Sequence, residues 1–141
     1  MTQNPVTFSW KRPFIAAVIC LLILLVLNDI AIRLSLYFAY KWLDIPFHFF
    51  SGFSVGLASI GILRALYKER YTYTKQLLYV VLLTFFVGAA WECVEAYFNA
   101  PILFGPFFWF DTSKDLLMDT LGGILSYICF HPHKKIQPEQ N

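Results

Sequence analysis

Glu92 and Glu95 lie near the end of a long apolar run, in the stretch FVGAAWECVEAYF that covers residues 86–98. A carboxylate inside a membrane-length segment is costly, and such groups face a protein interior or a wet cavity rather than lipid. Two other segments carry groups of the same kind. Asp44 and His48 are spaced i,i+4, and Asp111, Asp115 and Asp119 continue at i,i+4. Residues three or four apart project from one helix face, so each set forms a stripe. Carboxylates and one imidazole suit three chemistries. They can hold a hard or borderline divalent cation through oxygen and nitrogen. They can share protons, because like charges oppose one another's ionisation. They can act as acid and base on a lipid-linked substrate.

The elements that must position these groups are read from composition. The chain has 141 residues and is 58% hydrophobic, 19% aromatic and only 14% charged. Soluble domains carry about 25% charged residues, so this is an integral membrane protein. Four segments are long enough to span a bilayer, which takes about 20 apolar residues. They run over residues 13–40, 44–67, 74–98 and 112–130, with the first crossing ending near Leu36. An all-α four-helix membrane bundle is expected, occupying residues 13–130. Tails at 1–12 and 131–141 flank it. The start of the chain has no small-x-small cleavage site after its apolar run, and so reads as an uncleaved first span.

Orientation follows the basic residues. Lys11, Arg12, Arg64, Lys68, Arg70, Lys75, Lys134 and Lys135 fall on one side of a four-span chain. Arg33, Lys41 and Lys114 fall on the other. The positive-inside rule then puts both termini in the cytoplasm. Asp29, Asp44, Glu92, Glu95, Asp111, Asp115 and Asp119 all belong to the outer half. That half sums to −4 against +6 inside, which matches the total of +2. At about 1.5 Å rise per residue, Asp44, His48, Glu92, Glu95, Asp115 and Asp119 reach one layer roughly 5–10 Å below the outer interface.

Several of these residues also have plain structural readings. Asp111, Thr112 and Ser113 are expected to cap the last helix, and Asp115 to lie in its first turn, where the dipole favours a negative charge. Asp44 serves equally well as an N-cap. Asp29 and Arg33 form an i,i+4 ion pair, although Arg33 could instead neutralise the acidic layer. Gly52 and Gly56, Gly88-Ala89-Ala90 and Gly122-Gly123 allow helices to approach closely. The connection NAPILFGPFFWF is expected at the interface, where aromatic residues gather. Cys20, Cys93 and Cys129 are small buried hydrophobes with no pairing pattern. His131 and His133 belong to a solvated basic tail. No nucleotide fingerprint is present, and no nucleic-acid partner is suggested.

DIPFHFFSGF, WECVE and DLLMDTLGG occur in that order on successive spans. The set resembles the small bacterial inner-membrane proteins of the YjdF-like group and, more distantly, the VanZ-like family. In the VanZ-like pattern Asp-x-x-x-His opens one span, a Glu-centred motif ends the next, and Asp-x-x-x-Asn-x-x-Gly opens another. Asp44 and His48 match the first, Glu92 and Glu95 the second loosely, and Asp115 and Gly122 the third. Asp119 stands where that pattern has Asn, and Lys114 is the only basic residue near the position of its usual arginine. The resemblance covers roughly residues 40–127 and implies a multi-pass inner-membrane protein with a role in the cell envelope.

The leading expectation is a divalent-metal-dependent hydrolase or transferase at the outer leaflet, acting on a lipid or lipid-linked glycan headgroup. His48, Glu92, Glu95 and Asp119 would do the chemistry. The same four, with Asp44 and Asp115, would hold the metal. A proton- or cation-coupled transporter or binding factor is the first alternative, opposed by inner half-spans with almost no polar residues. A structural protein whose acids pair with Arg33 and Lys114 is the second.

Overall fold

The structure, a computed structural model, describes residues 9–67, 72–98 and 108–130. Among these the chain is helical, with no strand. Helix α1 spans Lys11–Arg33 and is followed by a single turn, α2, at Leu36–Ala39. A 3-10 turn at Lys41–Leu43 leads into α3, Asp44–Tyr67. Helix α4 covers Tyr73–Phe98 and α5 covers Phe108–Phe130. The expected spans at 44–67 and 74–98 are helices α3 and α4. The basic tail with His131 and His133, and most of the expected interfacial connection, lie outside the described residues.

Two boundaries differ from expectation. The first helix does not continue to Tyr40 but stops at Arg33. Ser35 adopts a left-handed conformation, with φ 54° and ψ 33°. The Leu34 and Ser35 amides close the helix on the Ile30 and Ile32 carbonyls. Asn28, Asp29, Arg33 and Ser35 make this stretch more polar, in keeping with a crossing that ends near Leu36, but no Pro or Gly marks the break. The Tyr37 hydroxyl then donates to Asn28 Oδ1 at 2.6 Å, folding α2 back against α1. The last helix starts earlier than expected. Asp111, Thr112 and Ser113 are therefore not caps, because α5 already runs from Phe108. Asp111 accepts from Lys114 at 2.6 Å, and Ser113 Oγ donates to the Trp109 carbonyl at 2.6 Å. Asp115 lies beyond the first turn, so the dipole does not account for it.

Helix α3 is the hub. It packs most extensively on α5, and also on α1 and α4, while α4 leans across α3 and α5. The approach of α3 to α5 depends on residues without side chains. A Cβ at Gly52 would overlap the Asp119 carbonyl, and one at Gly122 would overlap the Phe49 carbonyl. Both clashes are with backbone, so only separating the helices would relieve them. At one end of the bundle, Ile60, Leu63, Val80 and Tyr127 form an apolar cluster flanked by Leu77 and Phe130. The Tyr127 hydroxyl donates to the Tyr73 carbonyl at 2.9 Å there, and Arg64 Nη2 to the Phe130 carbonyl at 2.6 Å.

The surface is inverted relative to a soluble domain. Leu25 and Phe86 are each 64% exposed, whereas His48 is 5%, Asp115 3% and Asp119 4% exposed. Exposed apolar side chains cover α1 and the outer faces of α4, a pattern that in water would aggregate and in lipid is solvated. Lys11–Arg33, Lys41–Tyr67 and Tyr73–Phe98 are long and apolar enough to cross a membrane. Helix α5 is as long as α1 but carries Asp111, Lys114, Asp115 and Asp119 in its first half.

Candidate metal centre

The start of α3, the end of α4 and the start of α5 meet at the end of the bundle opposite the apolar cluster. There they bring together all six residues singled out in the sequence. Asp44 opens α3, and His48 sits one turn on, in the wall facing α4 and α5. His48 Nδ1 lies 3.2 Å from Asp119 Oδ2 of α5. A carboxylate oxygen can only accept, so the ring nitrogen donates in this bond. His48 Nε2 then faces Asp44 Oδ1 at 3.5 Å and Glu92 Oε1 at 4.0 Å. Neither distance is that of a good hydrogen bond.

Two groups of three offer ligand atoms to a common point: Asp44, His48 and Asp115, and His48, Glu92 and Glu95. Within each, the atoms lie no more than 4.8 Å apart. Around an ion with bonds of about 2.1 Å, neighbouring octahedral ligands are about 3.0 Å apart and opposite ones about 4.2 Å. Small rotamer changes would close either group onto a cation. His48, Glu92 and Asp115 are screened from the surface, while Glu95 is exposed and marks the mouth. Glu92 Oε1 is buried with no hydrogen-bond partner.

Asp119 differs from the other acids. Its carboxylate is spent on His48 Nδ1, the position from which an acid fixes a ligating ring rather than the ion. Gly88 of α4 makes room for it, since a Cβ there would lie 2.6 Å from Asp119 Oδ2.

Lys114 pairs with acids of the layer, as expected in the structural alternative, although the sequence does not specify its particular partners. Its Nζ lies 2.6 Å from Asp111 Oδ1, 3.3 Å from Asp115 Oδ1 and 3.6 Å from Asp44 Oδ2. The i,i+3 spacing to Asp111 was the available signal, but the apparent helix start at Thr112 hid it. Arg33 is held by Asp29 at 2.6 Å on an exposed face of α1, as the spacing predicts. Lys114 is the base that enters the acidic layer. Outside the spans, the Tyr37 phenol is pushed up to about 12, first by burial and then by the negative charges of Asp44 and Glu95. It therefore stays a donor to Asn28.

Deeper in the bundle, Ser54, Ser59, Thr84 and Ser126 are buried. Ser54 Oγ donates to the Phe50 carbonyl at 2.8 Å, Ser59 Oγ to Val55 at 2.7 Å and Ser126 Oγ to Gly123 at 2.7 Å. These three serine hydroxyls are turned onto their own helices, which satisfies them without water, whereas buried Thr84 Oγ1 has no hydrogen-bond partner.

Helices built to lie in lipid, closed at one end around carboxylates and an imidazole, define a helical integral membrane protein with a buried polar centre. The chain belongs to the family described as "Predicted membrane protein (DUF2238)", whose model matches residues 5–135. No curated protein and no solved structure matches it.

Proposed function

We propose that this protein is a multi-pass enzyme of the bacterial inner membrane that uses one divalent cation at its outer face. The cation would sit among His48, Glu92, Glu95 and Asp44, and the reaction would be hydrolysis or group transfer on a lipid or lipid-linked glycan headgroup. The observation that carries this reading is a buried carboxylate oxygen with no hydrogen bond, set against an imidazole nitrogen from another helix. Glu92 Oε1 has no hydrogen-bond partner, and it faces His48 Nε2 across 4.0 Å. A buried polar atom left without a partner is costly unless a ligand satisfies it.

In this reading α5 completes a fourth crossing, and both termini are cytoplasmic. The charges of α5 are accommodated because Asp115 and Asp119 face α3 and α4, not lipid. Exposed Phe38, Trp42, Tyr97, Phe98, Trp109 and Phe110 cluster in sequence around the mouth-forming ends of α3, α4 and α5. Aromatic residues favour the membrane–water interface, which supports a centre at headgroup depth. The likeness of the Asp44–His48, Glu92 and Asp115–Gly122 motifs to the VanZ-like pattern supports an envelope role. The cation would polarise an ester or phosphoryl oxygen or activate water, while Glu95 at the mouth is placed to move a proton.

The test is metal content and turnover together. Protein purified in detergent should retain or take up Mn2+, and lose it in the Glu92→Gln variant. Liposomes of inner-membrane lipids should show metal-dependent headgroup release that chelation stops. Wild-type protein that binds no divalent ion would overturn the reading.

One observation favours a second, structural reading: Lys114 already pairs with Asp44, Asp111 and Asp115. If the acids serve packing alone, amide substitutions at Asp44, Glu92, Asp115 and Asp119 should each lower thermal stability with no change in ion binding.

A further inference from the structure

We infer that Lys114 is a tethered cation occupying the second position of a two-cation site, so that the protein takes one divalent ion rather than two. The inference rests on the metal-dependent reading above and specifies which half of the centre the ion enters.

The two ligand groups share His48 but differ in what already fills them. Asp115 is held by Lys114 Nζ at 3.3 Å, and Asp44 Oδ2 by the same nitrogen at 3.6 Å. The Lys114 ammonium therefore lies against two of the three residues, Asp44 and Asp115, that would hold a cation on that side. Its remaining strong contact, Asp111 at 2.6 Å, anchors it from the solvent side. Lys114 makes no ion pair within 4.0 Å with Glu92 or Glu95, so its ammonium fills the other half. Asp115 Oδ1 and Glu92 Oε1 are both buried without a hydrogen bond, but only Asp115 Oδ1 has the Lys114 ammonium beside it. The His48 side chain is only 6% exposed, and its Nε2 has no hydrogen bond in good range. Glu92 Oε1 is buried and unpartnered. An imidazole nitrogen is not part of an acidic cluster, and its aim at Glu92 is what singles out this half for an ion.

Asp44 joins the halves. Its Oδ1 faces His48 Nε2 at 3.5 Å and its Oδ2 faces Lys114 at 3.6 Å. A carboxylate split in this way bridges adjacent cations in two-metal centres, which are about 3.5–4 Å apart. Here one of the two is an ammonium. An ammonium gives charge but neither exchanges ligands nor lowers the pKa of water. A divalent ion held by His48, Glu92 and Glu95 would supply the activation of a nucleophile, and Lys114 would steady charge beside it.

The experiment is Mn2+ titration of the full chain in detergent, reading free Mn2+ by electron paramagnetic resonance. Wild-type protein should bind one ion per chain and Lys114→Met two. Asp115→Asn, which leaves Lys114 paired to Asp44 and Asp111, should still bind one ion within about threefold of wild-type affinity. Glu92→Gln should lose it. Two ions in wild type, one in a folded Lys114→Met, or loss of the ion in Asp115→Asn would each overturn the assignment. If Lys114→Met does not fold, the wild-type count and the Asp115→Asn result decide it. A wild-type protein that binds no Mn2+ instead removes the metal-dependent reading itself.

Discussion

Asp119 and Gly88 show how finely the centre is set. Gly88 leaves the space that the Asp119 carboxylate fills beside His48, and Asp119 fixes the ring so that Nε2 turns toward Glu92 and Asp44. Replacing the acid by Asn keeps the shape but weakens the hold on the ring. Asp119→Asn should therefore weaken Mn2+ binding by about 10–100-fold, the usual cost of losing such a partner, while the protein stays folded. Equal affinity in Asp119→Asn would show that the acid does not position His48. The convergence of His48, Glu92, Glu95, Asp44, Asp115 and Asp119 was legible in the sequence, because i,i+3 and i,i+4 spacing fixes faces and hydropathy fixes depth. Pairing of Lys114 with acids was an expectation as well, but the particular partners of Lys114 and Asp119 were not legible. Spacing along one helix says nothing about which atom of a neighbouring helix a carboxylate meets.

Among elements, the contact of α3 with α5 decides the architecture. Gly52→Ala would drive a methyl group into the Asp119 backbone, and overpacking of this kind costs about 1–3 kcal/mol. A lowered unfolding temperature is expected, with loss of ion binding following from displacement of His48 relative to Asp119. An unchanged unfolding temperature would mean that the helices are not in close contact there. The turn after α1 offers the opposite test. Ser35 is the only non-glycine residue with positive φ among those described. Glycine takes this conformation without the penalty that L side chains carry, about 1 kcal/mol or more. Ser35→Gly should raise thermal stability slightly, and a decrease would contradict the left-handed turn. Both features explain where sequence reading succeeded and failed. Small residues at Gly52, Gly56 and Gly122 signal close packing directly. The end of α1 carries no Pro or Gly at the break, and α5 begins two residues after Pro106, inside an aromatic stretch that reads as an interfacial connection rather than as helix.

At the scale of the whole molecule, the described residues form a polar-centred helical assembly with a largely apolar outer surface, and its orientation is a separate expectation. With both termini in the cytoplasm, Lys41 lies outside and Lys134 inside. In a chain with Cys20, Cys93 and Cys129 replaced by serine, Lys41→Cys should react with an impermeant maleimide in intact cells. Lys134→Cys should react only after permeabilisation. The reverse pattern would turn the centre toward the cytoplasm and exclude an outer-leaflet substrate.

The central claim is that His48 and the acids around it hold a metal ion. Electron spin-echo modulation of Mn2+ bound to the purified protein tests it most directly, because it detects nitrogen in the ion's coordination shell. The account predicts one 14N coupling in the wild type, absent from His48→Gln and retained in Asp115→Asn. Mn2+ bound without nitrogen coupling, or a coupling that survives His48→Gln, would contradict it.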